Sequence, residues 1–252
     1  MLDTSKSDRI PPKTIAVQVY RQIRQDIIDG VYPPGAHLVR MTLAKRYGVS
    51  AIPVMEALYR LEMDGLVENS PQLGAHVVEV SEDILEDDRI FREAVECQTA
   101  RLFAERASAA EKDQIRELAK FIDSIEEKMT EEGRAEMEQM QRLFQRQHSE
   151  FHFAVAKISG ARSLYRQMKT LWYRRLMATG DIHAVLYPVP KNWHIDLAES
   201  LASGDPERAE KHMRHHVSFR KDKFNDSVRE VLRRGRAELL EILVQGGSGA
   251  ED

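Results

Sequence analysis

Histidines are distributed unevenly along this sequence. Seven of the nine lie between residues 148 and 216 of the 252-residue chain. His148 and His152 are four residues apart in a helical pattern, so both project from one face of the helix. His194 begins a later helix, and a last long helix carries His212, His215 and His216. Neutral imidazoles that converge from several helices are good ligands for a divalent transition metal. An i, i+4 histidine pair is also a common surface feature, so periodicity alone leaves both interpretations open.

The composition limits the class of protein. Hydrophobic residues make up 42% and charged residues 31% of the chain, which is typical of a soluble globular protein with room for two domains. There is no apolar run of membrane-spanning length and no signal-peptide pattern, and the single Cys97 fits a reducing compartment, so we expect a cytoplasmic protein with no membrane partner. The net charge is −4, and residues 1–80 hold nine Lys/Arg and nine Asp/Glu. Non-specific affinity for nucleic acid should therefore be low.

The N-terminal part of the chain has the pattern of a winged helix-turn-helix. Helical periodicity covers residues 15–29, 41–47 and 52–64. Gly48 forms the turn, Ser50 is expected to cap the following helix, and Gly65 ends it. Two short β-prone runs around Pro71 and Gly74 then predict a small hairpin, the wing. We expect a flexible arm at residues 1–13 and a DNA-binding domain at residues 14–80.

Beyond residue 80 the pattern becomes entirely helical. Helices are predicted at residues 82–107, 111–129, 134–158, 161–179, 191–203 and 206–243. This makes residues 81–243 an all-helical bundle, followed by a flexible tail at 244–252. The predicted fold class is mainly α, an N-terminal winged helix-turn-helix joined to a C-terminal all-α bundle.

Several segments resemble one known family over about residues 14–235. In the first part these are "IIDGVYPPGAHL", "LAKRYGVS" and "RLEMDGLV". In the second they are "FREAVE", "EFHFAVAKISG", "WHIDLAESLASGD" and "AEKHMRHHV". Together they resemble the GntR family of bacterial transcriptional regulators, in the FadR-like branch with an FCD ligand-binding domain. The resemblance implies a homodimer that binds a DNA operator, and it implies effector binding, metal binding and dimerisation for the bundle at residues 81–243.

The resemblance also implies a metal site. Its ligands would be His152, His194 and His216, each in a segment that carries a metal-binding histidine in the family. Family members commonly have an aspartate where this chain has His148. One possibility is a metal site made of four histidines, which favours Zn, Ni or Cu over Mg or Mn. The other is a site that binds metal weakly or not at all. We expect Zn or Ni as the cofactor, and we expect His212 and His215 to be solvated.

A small carboxylate effector is the ligand that the resemblance implies for this pocket. A carboxylate can bridge an open metal position and an arginine. The family's Arg-x-x-x-Glu pattern falls on Arg92 and Glu96, although these two residues could equally form an i, i+4 ion pair. Trp172, Tyr173, Arg174 and Arg175 are further candidates for the cavity wall, with core packing as the alternative for the aromatic residues.

The recognition helix departs from the family. Where FadR-like proteins place arginines against phosphates and guanines, this chain has Met41, Ala51 and Met55. The predicted DNA-contacting residues are Arg40, Lys45, Arg46, Ser50, Ala51, Ile52, Met55, Arg60 and His76. The helix is expected to bind DNA through other contacts, such as thymine methyls at Ala51 and Ile52, or to discriminate bases poorly. The alternative is a domain that no longer binds DNA.

These patterns predict a metabolite-responsive DNA-binding transcriptional regulator, a repressor rather than an enzyme. One alternative is a metabolite- and metal-binding relative with impaired DNA binding. Another is a metal-dependent hydrolase that uses a metal-bound water. Against the hydrolase, no carboxylate in the histidine-bearing segments is placed as a general base.

Overall fold

A computed structural model gives the structure of the chain. It describes residues 14–70, 74–129, 134–179 and 189–219. The chain divides into two compact units between Glu79 and Val80. The arm and the tail predicted at the two ends lie outside the described residues, and the functional assignment of the predicted domains stays a prediction.

The first unit contains three helices followed by a two-stranded antiparallel sheet. The helices are α1 (Ile15–Ile28), α2 (Arg40–Tyr47) and α3 (Ala51–Met63), and the strands are β1 (Val67–Ser70) and β2 (Gly74–Val77). Val67 pairs with Val77 in the strand register. This is the predicted order of a winged helix-turn-helix, and the described part of the wing is the β1–β2 sheet.

Apolar side chains on the inner faces of these elements form the core of the first unit. Ile23 of α1, Val54 and Leu61 of α3, Leu66 and Val77 are fully buried. Buried residues recur every three or four positions along α1 (Val19, Ile23, Ile27) and α3 (Val54, Leu58, Leu61), which is the amphipathic pattern that predicted the helices from the sequence. The apolar scaffold therefore presents α3 with one face to the core and the other to solvent.

The turn between α2 and α3 depends on a glycine. Gly48 has φ 65 and ψ 35, a left-handed conformation that costs glycine little, and it ends α2. Ser50 occupies the N-cap position of α3 with φ −73 and ψ 168, but its side chain makes no cap hydrogen bond. The prediction that the Ser50 hydroxyl caps the helix is therefore wrong, because this side chain is exposed and does not accept from the first-turn amides.

The second unit is helical throughout its described part. Its helices are α4 (Glu82–Arg106), α5 (Ala109–Met129), α6 (Arg134–Ile158), α7 (Arg162–Thr179), α8 (Trp193–Ala202) and α9 (Pro206–Ser218). Ser81 caps α4 by accepting from the amide of Ile84. Asp205 caps α9, and Pro206 lies in its first turn.

The last described helix is shorter than predicted. The pattern predicted one helix over residues 206–243, whereas α9 ends at Ser218 and Phe219 has the extended values φ −61 and ψ 125. The Phe219 ring packs against Trp193, with 4.4 Å between ring centroids. Neither residue at this break is Gly or Pro, so the sequence held no stop signal there. Residues 220–243 lie outside the described residues.

The core of the second unit holds its helices at fixed distances around a histidine cluster. Phe103 of α4, Ile115 and Ile122 of α5, Phe151 of α6 and Leu201 of α8 are fully buried and belong to one apolar cluster. Because α6, α8 and α9 all contribute to this cluster, their inward-facing polar residues are also brought together. Within the described part of the chain, no helix is long and apolar enough to cross a membrane.

Candidate functional site

Four histidines from three helices converge inside the second unit. α6 supplies His148 and His152, the first turn of α8 supplies His194, and α9 supplies His216. Nitrogen atoms of His148, His194 and His216 all lie within 4.8 Å of one another. The Nε2 atoms of His148 and His152 are 3.1 Å apart. Two imidazole nitrogens bound to one ion at about 2.1 Å are about 3.0–3.4 Å apart, so this pair has the spacing of two ligands.

His152 is oriented by a buried carboxylate on α4. Its Nδ1 atom lies 2.5 Å from Oε2 of Glu96, and both side chains are fully buried. The other carboxylate oxygen of Glu96 accepts a hydrogen bond from Nε of Arg92 at 2.5 Å. Burial opposes ionisation of Glu96, but His152 and Arg92 outweigh it and lower the pKa of this carboxyl. Since a carboxylate only accepts hydrogen bonds, Nδ1 of His152 carries the proton and Nε2 is left as the donor atom for a ligand.

His194 is oriented in the same way by Asp123 of α5. The Asp123 Oδ1 atom lies 2.6 Å from the ring nitrogen Nδ1 of His194. The same carboxylate accepts from the backbone amides of His194 at 3.1 Å and Ile195 at 3.0 Å. These amides are among the unpaired donors at the start of α8, so Asp123 caps the helix and orients the imidazole together.

Two nitrogens of the cluster are buried without a hydrogen-bond partner among the described residues. They are Nε2 of His194 and Nδ1 of His216. Buried polar atoms are almost always paired, so two orphan imidazole nitrogens in one cluster need an explanation. A divalent metal would satisfy both, and the residues present therefore fit the metal that the sequence predicted.

Burial opposes protonation of three histidines of the cluster. Burial lowers the pKa of His152, and it lowers those of His148 and His216 well below the ordinary value, with neighbouring histidines adding to the effect. A neutral imidazole is the form that binds metal. The four side chains together contribute no negative charge, which favours Zn or Ni over Mg or Mn.

A second group of possible ligands overlaps the first. Asp123, Glu126 and His194 also place one ligand atom each within 4.8 Å of one another. Asp123 is already bonded to His194, so this group supports the histidine cluster and is not a separate centre.

The predicted effector residues surround Trp172, which forms one wall of the cluster. Trp172 is buried, its ring centroid is 4.5 Å from that of His152, and its Nε1 donates to the Ser149 hydroxyl at 2.6 Å. The guanidinium carbons of Arg92 and Arg175 lie 4.8 and 5.5 Å from the centre of the Trp172 ring. Both cations are thus close to the four histidines.

The geometry gives some predicted residues another role. Both oxygens of Glu96 are bonded within the protein, so Glu96 supports His152, and its contact with an effector stays a prediction. The Arg92–Glu96 ion pair, an alternative left open by the sequence, is formed. The expectation of solvation holds for His215, which is exposed, but is wrong for His212, which is half-buried and bonded to the Ser200 hydroxyl.

The predicted DNA-contacting residues lie in the first unit and are mostly exposed. Arg40, Lys45, Ser50, Ile52, Met55 and Arg60 are exposed, and Ala51 is partly exposed. Arg46 is exposed too and pairs with the buried Asp26 at 3.1 Å; the same carboxylate accepts from the Tyr47 hydroxyl, and these bonds join α1 to α2. His76 of β2 is partly buried and lies 3.8 Å from Glu68. The ion pair gives Arg46 a structural role, and its contact with DNA stays a prediction.

Sequence reasoning missed two features. Asp123 is 71 residues from His194 in the chain, and no local motif marks it. The second is the continuation of the apolar surface of α3 to Tyr59 and Met63, which are both exposed. Their helical spacing from Ile52 and Met55 was a usable signal.

Family comparison assigns both units to known domains. Residues 15–77 match the profile of the bacterial regulatory proteins of the gntR family, and residues 90–219 match the FCD domain. The chain therefore belongs to the GntR family, with a helix-turn-helix domain that implies DNA binding and an FCD domain that suggests a small-molecule effector. Its class is a transcriptional regulator and not an enzyme.

Individual relatives agree with this class. The HTH-type transcriptional repressor RspR of Escherichia coli is 25% identical over 224 residues, covering 88% of this chain and 92% of RspR. A probable D-xylose utilization operon transcriptional repressor of Paenarthrobacter nicotinovorans is 29% identical, covering 84% of this chain and 89% of that protein. The structure of E. coli McbR/YncC is 23% identical with a TM-score of 0.59, covering 93% of this chain and 99% of McbR, and supports the fold.

Proposed function

We propose that this chain is a metabolite-responsive repressor that senses a small carboxylate through a metal-containing helical pocket. DNA binding is assigned to residues 14–80, and effector binding and dimerisation to residues 81–243. The observation that carries the proposal is the convergence of His148, His152, His194 and His216, with two buried nitrogens left unpaired. The protein would act in the cytoplasm, where its operator lies.

The four histidines would hold one Zn or Ni ion. A metal bound there would supply a positively charged position open to an anionic group of the effector. The chain prepares this position, since Glu96 and Asp123 fix the orientation of His152 and His194, and burial lowers the pKa values of His148, His152 and His216. His148 in place of the family's aspartate removes one negative charge from the ligand set, which strengthens the preference for an anionic effector.

The carboxylate of the effector would be bound by cations next to the cluster. Arg92 and Arg175 both lie against the Trp172 ring, and a guanidinium binds a carboxylate through two parallel hydrogen bonds. Arg92 uses its Nε atom to bind Glu96, so this ion pair fixes the orientation of the guanidinium. The relative named for D-xylose utilization makes a neutral sugar a useful comparison ligand.

Regulation would follow from unequal binding to two states. A homodimer presents two recognition helices, which suits a palindromic operator. The effector changes DNA affinity only as far as it binds the DNA-competent and DNA-incompetent states unequally. Repression is proposed because two relatives are named as repressors.

A second candidate function is favoured by the surface of α3. Met41 of α2 and Met55 of α3 are exposed at positions where the family resemblance implies arginines that contact DNA, and Ile52 is exposed beside them. The chain would then be a metal- and metabolite-binding member of the family without an operator. Selection of genomic DNA fragments by the purified protein distinguishes the two functions.

The test of the metal and effector parts uses tag-free protein. Elemental analysis after reconstitution with Zn or Ni should give one metal per subunit, and metal should raise the melting temperature because it binds the folded state. Small carboxylates should raise the melting temperature of the metal-loaded protein further, and should raise that of the metal-free protein less. The effect of D-xylose on the melting temperature is measured in both forms for comparison. A stoichiometry near zero overturns the metal site, and a carboxylate shift that does not depend on metal overturns the proposed sensing mode.

A further inference from the structure

The recognition helix α3 exposes a continuous apolar stripe. Its members are Ile52 (64% exposed), Met55 (46%), Tyr59 (66%) and Met63 (65%), and Met41 (66%) is exposed on the preceding helix α2. The spacing of three, four and four residues places the four α3 side chains on one face. The opposite face, with Val54 and Leu61, forms the core. Exposed apolar surface of this extent marks an interaction site.

The beginning of this stripe lies where a helix-turn-helix contacts DNA. In such motifs the N-terminal residues of the second helix contact base edges in the major groove. Here those residues are Ala51, Ile52 and Met55, which carry no hydrogen-bond donor in their side chains. A bidentate contact to guanine O6 and N7 needs an arginine or lysine, so these three residues cannot make it.

One exposed cation lies beside the stripe, and others are exposed on α2 and α3. Arg40, Lys45 and Arg60 are exposed, and Nη1 of Arg40 lies 3.8 Å from the sulfur of Met55. Cations of this kind bind phosphates and set the register of the helix on the duplex without specifying bases. An apolar surface with a cation beside it fits a nucleic acid groove with an apolar group on its floor.

The major groove contains one such group, the C5-methyl of thymine. We propose that α3 recognises thymine methyls through Ala51, Ile52 and Met55, and that each operator half-site has thymines at the base pairs facing these residues. This inference rests on the proposed operator binding and specifies its base preference. The occupant of the stripe at this end is double-stranded DNA, not a protein partner.

The experiment removes methyl groups from the DNA. The full chain is used to select genomic fragments, and the bound duplex is resynthesised with deoxyuridine in place of individual thymines of the half-sites. Removing one methyl that contacts the helix should raise the dissociation constant about fourfold, the change expected for loss of one buried methyl-sized group. Deoxyuridine outside the half-sites should have no effect.

Protein variants locate the contact. Ile52→Ser should bind the thymine duplex more weakly and should lose most of its sensitivity to deoxyuridine. Met63→Ser is the matched control, because Met63 belongs to the same stripe but lies eleven residues away, about 16 Å along the helix. It should keep full sensitivity to the methyl groups. Both side chains are exposed, so neither substitution removes core packing.

The outcomes separate this inference from the proposed function. Retained affinity after removal of every half-site methyl overturns methyl recognition and leaves operator binding intact. Selection of no DNA fragment overturns operator binding and methyl recognition together, and the stripe would then be assigned to a protein partner. If replacing thymine by deoxyuridine lowers the affinity of the Ile52→Ser protein as much as that of the wild-type protein, the assignment of methyl recognition to α3 is overturned.

Discussion

Asp123 binds His194 in two ways at once. Its Oδ1 atom lies 2.6 Å from the ring nitrogen Nδ1 of His194 and accepts from the backbone amide of the same residue at 3.1 Å. One carboxylate on α5 thus fixes both the start of α8 and the orientation of an imidazole that projects into the histidine cluster. Nε2 of His194 is the ring nitrogen left without a hydrogen-bond partner among the described residues, and it is therefore the atom available to the proposed metal.

Replacing Asp123 by Asn should weaken metal binding by about 10–100-fold, the usual effect of losing such an orienting carboxylate. The amide keeps the size of the side chain but loses the charge that favours a proton on Nδ1 of His194. A chelator competition with Zn²⁺ measures the change. Asp113→Asn is the matched control, because Asp113 lies on the same helix, is exposed and pairs only with Arg116 among the described residues. Equal losses in the two variants would contradict a specific role for Asp123.

His194→Ala should remove most of the bound metal, while His215→Ala should leave it unchanged. His194 is buried in the cluster, whereas His215 is exposed and its ring packs against Trp193 at 5.2 Å. The metal-dependent rise in melting temperature should disappear with the first variant and persist with the second. Elemental analysis of both reconstituted proteins gives the stoichiometry, and an equal metal content would show that His194 is not a ligand.

His148→Asp should shift metal preference toward Mn²⁺. The Nε2 atoms of His148 and His152 lie 3.1 Å apart, so an aspartate at this position would bring a negative oxygen to the same centre. Carboxylate oxygen suits Mn, while imidazole favours Zn and Ni. Competition between Zn²⁺ and Mn²⁺ in the two proteins measures the ratio of affinities. An unchanged ratio would place residue 148 outside the ligand set.

The metal-free protein should lose stability as the pH falls below about 6.5. The pKa values of His148, His152 and His216 are lowered by burial below the ordinary 6.5. Below this pH the unfolded chain therefore takes up protons that the folded protein does not. The contribution of these histidines to the free energy of unfolding is fully present above about pH 6.5 and decreases as the pH falls below it. Each histidine contributes up to about 1.4 kcal/mol per pH unit.

Denaturant unfolding at pH 7.5 and 5.5 measures this loss. His148→Gln should reduce the difference between the two pH values, and His215→Gln should not. Glu96 does not interfere, because its lowered pKa affects stability only below the ordinary 4.5 of a glutamate. A wild-type stability that is equal at both pH values would mean that the cluster is protonated in the folded protein.

Much of this fold follows from local patterns. The helical spacing of Val19, Ile23 and Ile27 predicted α1, and the left-handed conformation available to Gly48 predicted the turn before α3. The end of α9 could not be predicted, since it depends on the packing of Phe219 against Trp193 and not on a Gly or Pro.

The candidate site was predictable only in part. The four histidines were predicted from the sequence segments that contain them. The structure brings them together, but their role as ligands stays a prediction. The orienting residue Asp123 lies on another helix and contacts His194 only after the bundle has formed. Glu96 was found by its motif, but the sequence could not show that both its oxygens would be bonded within the protein; its contact with an effector stays a prediction.

Met55→Arg should increase affinity for operators with a guanine in each half-site. Met55 is exposed on α3 at a position where the family places a guanine-contacting arginine, and a bidentate Arg–guanine pair contributes about 1–3 kcal/mol of discrimination. Arg40 lies 3.8 Å from the sulfur of Met55, so repulsion between the two cations should reduce part of this gain. Fluorescence anisotropy with guanine-containing and guanine-free duplexes, at two salt concentrations, measures the change.

Met63→Arg separates base recognition from general charge. It adds the same cation to the same helix, at the end away from the turn, so its gain should be equal for all duplexes and should fall as salt rises. The gain of Met55→Arg should instead depend on guanine and persist at the higher salt. The natural protein should bind these duplexes weakly and with strong salt dependence, since phosphate contacts supply most of its affinity. The natural protein could instead bind one guanine-containing sequence at nanomolar concentration in physiological salt and discriminate strongly against its guanine-free counterpart. That result would show that Met41, Ala51 and Met55 do not impair guanine readout.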